Sequence, residues 1–160
     1  MAKKRKSGIN LLGLVSACVG VVSVLLYGLL KVGGSQAKLL GNWKDSDKFV
    51  SGFQFAFGNK ETLNVTGYSS DPHWIGIVAI VLVALGIAAI LIYALAKVKG
   101  AAYVAALVFV LAGVAMLLSV ALSGEENNSI FRHVLGVGAI VGGILSIGAG
   151  ALSCFVVVKK

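Results

Sequence analysis

Four long runs of apolar residues divide this 160-residue chain. They cover residues 9–30, 74–95, 101–122 and 134–158, and none of them contains Asp, Glu, Lys, Arg or His. Each run reaches the roughly 20 residues that a helix needs to cross a hydrocarbon core about 30 Å thick. Because lipid cannot hydrogen-bond an open backbone, the runs are predicted to be helices. The pattern therefore predicts an all-α membrane fold, an antiparallel bundle of four transmembrane helices in a single domain over residues 1–160.

Composition supports the same fold class. Hydrophobic residues make up 58% of the chain and charged residues 12%, and the mean hydropathy is +0.96. A soluble domain of this size has too much surface for its volume to bury so many apolar side chains. The first expected partner is therefore the lipid bilayer.

Charged residues flank the four runs unevenly. If the runs alternate in direction, one side carries eight cations and no acidic residue: Lys3, Lys4, Arg5, Lys6, Lys97, Lys99, Lys159 and Lys160. On the other side cations and anions cancel, so the formal net charge of +8 belongs to one side. The positive-inside rule then predicts a plasma-membrane protein with both termini in the cytoplasm. Basic clusters beside helix ends are explained by topology and by anionic headgroups, so no nucleic-acid partner is expected.

The first extracytoplasmic loop, residues 31–73, is the longest polar segment, and it contains two stretches of alternating character. Phe53, Phe55 and Phe57 alternate with small or polar residues, and a second alternation covers 62–66. Together they predict a small β-hairpin over 53–66, with one apolar face. An isolated hairpin is marginally stable in water, so this face should rest on the helix ends, the lipid interface or a partner. The candidate outer-loop contact residues are Phe53, Phe55, Phe57, Leu63 and Val65.

Small residues recur along the fourth run. Six of the 21 glycines in the chain lie there, and five of them fall at spacings of four and of seven. Such residues let two helix backbones approach closely. Two interpretations stay open: contact between chains in a homo-oligomer, or packing against this chain's own helices, with Ser16 and Gly20 or Ala102 and Ala106 as partners. The candidate helix-packing residues are Gly136, Gly138, Gly142, Gly143, Ser146 and Gly150.

Catalytic and redox motifs are missing from the sequence. The apolar runs contain no ionisable residue of the kind that pumps and coupled transporters place in the membrane. There is no CxxC and no HExxH. The sequence therefore predicts no enzyme, no cofactor and no metal site, and it identifies no small-molecule substrate.

The two cysteines fall inside apolar runs, and both are expected to be small core thiols. Val15-Ser16-Ala17-Cys18 has the form of a lipobox, in which Cys18 would be lipidated after cleavage. Residues 35–37 are a second candidate cleavage site. The apolar run continues for twelve residues after Cys18, which favours a retained first helix.

The overall layout is similar to that of claudin-type tetraspans: four spans, both ends inside, and a long first outer loop with a tryptophan and strand character. The stretch "GNWK" at 41–44 is nearest to their outer-loop signature, but the paired cysteines of that signature do not follow it. The "SGFQFAFGNKE" loop in a small four-span chain with basic ends resembles uncharacterised proteins of Gram-positive bacterial plasma membranes. Neither resemblance implies an activity.

These observations favour a non-enzymatic membrane protein that acts by association, through the first outer loop and the fourth helix. Its expected partners are a second copy of the chain or another membrane protein. One alternative is a small oligomeric channel or transporter subunit, in which the glycine-rich helix lines or closes a pore. The other is an intramembrane enzyme.

Overall fold

The computed structural model of the chain describes residues 10–39, 41–58, 72–123 and 131–158. In chain order its elements are α1 (Leu11–Leu29), β1 (Lys31–Leu39), β2 (Asn42–Ser51), α2 (Gly52–Phe57), α3 (Trp74–Ala96), α4 (Lys99–Leu117), β3 (Phe131–Leu135) and α5 (Val137–Val158). Helices α1, α3, α4 and α5 are long and apolar enough to cross a membrane. Within the described residues, the four predicted spans are thereby confirmed as long apolar helices, and the chain has the make-up of a multi-pass membrane protein.

Two helix boundaries differ from the predicted ones by three residues or more. Helix α5 begins at Val137 because Val134 and Leu135 belong to β3, and the backbone N–H of Gly136 donates to the Val32 carbonyl at 2.6 Å. Helix α4 ends at Leu117, and turns follow it as far as 122. The Ser119 hydroxyl donates to the Met116 carbonyl at 2.7 Å. This bond gives a carbonyl of the last helical turn a partner where no regular helix follows.

The helices run antiparallel, so their ends gather in two groups. At one end the Asn10 N–H donates to the Ala94 carbonyl at 3.4 Å, and the Tyr93 hydroxyl donates to the Val156 carbonyl at 3.4 Å. We call this end, which holds the start of α1 and the end of α5, the terminal end. The strands and α2 lie at the opposite end. We call the unit formed by β1, β2, α2 and β3 the cap.

Around the bundle, α5 packs between α1 and α4, while α3 packs against α1 and α4 on the other side. The fully buried Phe109 ring fills the centre. A Cβ added at Gly20 would lie 2.7 Å from this ring, and one added at Gly86 would lie 2.9 Å from it. Because lipid is as apolar as the side chains, close packing and hydrogen bonds must hold these helices together.

A three-stranded antiparallel sheet of order β2-β1-β3 lies at the cap end. Gly34 of β1 is opposite Phe49 of β2 on one side and Val134 of β3 on the other. Gly41 adopts a φ of +87° in the connection between β1 and β2, a conformation that favours glycine. The sheet joins the segment after α1 to the segment before α5, which are far apart in sequence.

The predicted strand over 53–57 is wrong, because these residues form α2. The Ser51 hydroxyl accepts a hydrogen bond from the Gln54 N–H at 3.4 Å, and the Gln54 side chain accepts one from the Ser51 N–H at 3.1 Å. This reciprocal capping box stabilises the start of a helix. Gly58, at φ +79°, follows its last residue. The predicted partner strand at 62–66, with Leu63 and Val65, lies outside the described residues.

Candidate functional site: a cap seated on the helix ends

The three phenylalanines of α2 point in different directions because the segment is helical. Phe53 and Phe57 are one turn apart, and their ring centroids lie 6.5 Å from each other. Phe55 lies on the opposite side and is fully buried, whereas Phe57 is 60% exposed. In a helix, the alternating phenylalanines are therefore divided between the core and the surface. The predicted hairpin would have placed all three on one face.

Phe55 fixes α2 to the start of α3. Its ring stacks on the buried His73 ring, with a centroid distance of 4.4 Å. The backbone N–H of His73 donates to the Phe55 carbonyl at 3.0 Å. A Cβ added at Gly76 would lie 3.0 Å from both Phe55 and Ala56. Ring stacking, a backbone hydrogen bond and close helix packing thus all join α2 to the start of α3.

Two glycines seat α2 on the end of α1. Gly28 lies under the Phe53 ring, and Gly52 lies against the Tyr27 carbonyl, so that a Cβ at either position would overlap these atoms. Tyr27 is fully buried beneath α2. Residues 52–57 therefore rest on this chain's own helix ends.

The sheet is attached to the bundle separately, at the start of α5. Gly136 lies directly against the Lys31 backbone, and a Cβ at Gly138 would lie 2.9 Å from Leu30. Val32 and Val50 of the sheet are fully buried. The cap is therefore attached to the helices at two places, through α2 and through β3.

Among the side chains that the structure describes around the cap, three large aromatic ones are exposed. Phe49 of β2 is 45% exposed, and the Lys31 ammonium lies 6.0 Å from its ring centroid. Phe57 is 60% exposed and Trp74, the first residue of α3, is 58% exposed. Aromatic residues at such positions suit membrane–water boundaries and protein contacts.

The six candidate helix-packing residues of the fourth run are all buried against the same chain. A Cβ at Gly142 would lie 2.9 Å from the Tyr27 Cβ, and one at Gly143 would lie 2.8 Å from Leu117. Gly150 is equally close to the Ala106 carbonyl of α4. Gly136 and Gly138 pack under the sheet as described above, and Ser146 is fully buried. Their small size is used in packing against this chain's own helices and sheet.

Serine hydroxyls link α5 to its neighbours. Ser23 donates to the Gly142 carbonyl at 2.7 Å, and Ser146 donates to the Phe109 carbonyl at 2.8 Å. Ser16 and Ser153 lie 2.8 Å apart, and both donate to the Ala149 carbonyl. Ser146 and Ser153 are the residues that a pore lined by α5 would need. Both instead make hydrogen bonds inside the packed bundle.

The prediction that both cysteines are core thiols is wrong, because Cys18 and Cys154 are exposed on the outside of the bundle. Ser16 and Ser153 face inward, and at about 100° per residue Cys18 lies about 200° round α1 from Ser16. The small polar residues of α1 and α5 occupy the interior. The thiols consequently fall on the outer surface of the bundle.

The residues that build the cap were mostly missed at the level of sequence. Ser51 and Gln54 carry a detectable signal, the S-x-x-Q spacing of a capping box. Tyr27 and Tyr93 look like boundary tyrosines at helix ends, yet both are buried in the bundle. The contact between Lys31 and Phe49 has no local signal, since it depends on how β1 pairs with β2.

No protein-family model matches the chain, and no curated protein shows significant similarity to it. The resemblances to claudin-type tetraspans and to bacterial four-span proteins remain predictions from layout and a short loop sequence. Function must therefore be inferred from the geometry of the cap and the bundle.

Proposed function

We propose that this is a non-enzymatic plasma-membrane protein that acts by association, with its cap as the contact surface for another protein in the same membrane. The observation that carries the proposal is the attachment of the cap to the bundle at two places, through α2 and through β3, with Phe49 exposed beside Lys31. Contact residues are positioned better on strands and helices of a scaffold than on loops. Aromatic side chains are also enriched in protein interfaces.

The cap is a better candidate surface than the glycine-rich face of α5. Gly142 and Gly143 are buried between α5 and its neighbours, and Phe55 is buried between α2 and α3. A partner could reach these residues only by displacing part of the bundle. Phe49 and Phe57 need no such rearrangement.

We further propose that the cap is extracytoplasmic and that the terminal end is cytoplasmic. Lys97 and Lys99 are exposed at the terminal end. The remaining six cations of that side lie in the first six residues and the last two residues of the chain, where no acidic residue occurs. An excess of Lys and Arg beside helix ends favours the cytoplasmic side.

A single labelling experiment tests both statements. In a Cys18→Ala, Cys154→Ala background, Phe49→Cys is treated on intact cells with a membrane-impermeant maleimide that carries a benzophenone. We expect labelling from outside, because position 49 is exposed on the cap. Illumination should then give one main protein adduct of defined mass, either with another membrane protein or with a second copy.

The matched control is Val98→Cys at the terminal end, which is 51% exposed. It should react only after the membrane is made permeable. Labelling of Val98→Cys but not of Phe49→Cys on intact cells would reverse the proposed orientation. Efficient labelling at position 49 that yields only lipid adducts after illumination would rule out the cap as a protein contact.

A further inference from the structure

An apolar groove opens on the outside of the bundle between α4 and α5. Its volume is about 400 Å³. Small residues, Ala106, Gly150 and Ala151, form part of its lining, and Tyr103 and Leu107 are both more than half exposed along it. The remaining lining residues are Val110, Ile147 and Cys154. The groove therefore faces the lipid and not the packed interior.

A cation stands where the groove begins, at the terminal end. Lys99 is exposed in the first turn of α4, and Tyr103 follows it by four residues on the same helix face. The eleven residue-to-residue steps from Lys99 to Val110 rise about 16 Å at 1.5 Å per residue. One leaflet of a hydrocarbon core about 30 Å thick has nearly this depth. Along α4, the Lys99 ammonium comes first, Tyr103 second and the apolar groove third. A phospholipid has its headgroup, glycerol region and acyl chain in the same order.

We propose that this groove holds one acyl chain of an anionic phospholipid, with the phosphate beside Lys99. Charge complementarity selects an anionic headgroup. Lys97 and Lys99 are the charged residues that the structure describes at the terminal end, and Lys159 and Lys160 follow α5 directly in sequence. Basic residues between transmembrane helices suit phospholipid headgroups. This lipid site is independent of the proposed role of the cap.

The test uses the full chain, reconstituted in vesicles of equal parts phosphatidylglycerol and phosphatidylcholine and then extracted for native mass spectrometry. We expect the wild-type protein to retain one phosphatidylglycerol in preference to phosphatidylcholine. Lys99→Gln should lower this preference about fivefold, which corresponds to about 1 kcal/mol, the upper end of what one direct, exposed ion pair contributes. Ala151→Phe should fill the groove and abolish retention of either lipid.

Two control variants separate a built site from general attraction. Lys97→Gln removes an equally exposed cation two residues away, and it should leave the preference unchanged. Ala88→Phe places the same ring on the exposed side of α3, at a similar distance from the terminal end, and should retain the lipid. An equal loss with Lys97→Gln and Lys99→Gln would overturn the site in favour of diffuse electrostatics. Retention by Ala151→Phe at the wild-type level would also overturn it.

Discussion

Gly142→Leu is expected to prevent the bundle from folding, whereas Gly148→Leu, six residues along the same helix, is expected to leave it folded. A Cβ at Gly142 would lie 2.9 Å from Tyr27 and 3.2 Å from the Ser23 carbonyl, while one at Gly148 would meet nothing within 4 Å. Overpacking a tight interior costs about 1–3 kcal/mol and occasionally more. A leucine forced between the Tyr27 side chain and the Ser23 carbonyl should exceed the upper part of that range.

The comparison is informative because the two variants carry the same added side chain in the same helix. Replacing a glycine inside a helix should by itself raise stability by about 0.5–1 kcal/mol, so Gly148→Leu should unfold at or above the wild-type temperature. Thermal unfolding followed by circular dichroism in detergent, together with size-exclusion chromatography, measures both. A folded, monomeric Gly142→Leu protein derived from an oligomeric wild type would instead mean that Gly142 lies between chains.

Phe55→Ala is expected to detach α2 from the bundle, and Phe57→Ala is the matched control. Phe55 is fully buried against His73 and Gly76, while Phe57 is 60% exposed in the same helix. Deleting a buried phenylalanine side chain costs about 3–5 kcal/mol. Substitution of an exposed residue usually changes stability by less than about 0.5 kcal/mol.

Limited proteolysis measures the difference in stability between the two variants, because detergent or lipid protects the helices and leaves the cap open to cleavage. Cleavage between β2 and α3 should accelerate by at least about a hundredfold in Phe55→Ala, because local opening follows the free energy that holds α2 in place. Phe57→Ala should be cleaved at close to the wild-type rate. Equal rates for the two variants would mean that Phe55 does not hold α2 to α3.

The four long helices could be predicted from sequence because the hydrophobic thickness of a bilayer requires a minimum run length. The predicted bounds of α3 differ from the observed ones by one residue, because His73 precedes the apolar run and Lys97 follows it. The predicted end of α4 and the predicted start of α5 differ more from the observed ones. At the end of α4 the Ser119 hydroxyl donates to the Met116 carbonyl. Before α5, Val134 and Leu135 pair with β1, which is about one hundred residues away in sequence.

The cap illustrates where local patterns mislead. The alternation of Phe53, Phe55 and Phe57 favours a strand, but the capping box of Ser51 and Gln54 favours a helix, and packing on Tyr27 and His73 suits the helix. Strand β1 contains adjacent glycines and no apolar alternation, so only its pairing with β2 and β3 makes it a strand. A strand that depends on pairing with distant residues cannot be recognised from a short window of sequence.

For the glycine-rich helix, the sequence shows that the residues are small but not which helix approaches them. Both the contact within the chain and the contact between chains need small residues at the same spacing. In the structure Gly142 packs against α1, and Gly143 and Gly150 pack against α4. Hydrogen bonds from Ser23 and Ser146 accompany these contacts.

The central claim is that α1 and α5 of the same chain pack through these small residues, and one cross-linking measurement tests it. The Ser16 and Ser153 hydroxyls lie 2.8 Å apart, so thiols at these positions should lie within reach of a disulfide. In a Cys18→Ala, Cys154→Ala background, the Ser16→Cys, Ser153→Cys protein is oxidised in the membrane and analysed by non-reducing electrophoresis. We predict a monomer-sized product in which both thiols are blocked. A dimer-sized product that requires both cysteines would contradict the claim, because α5 would then pack against another chain.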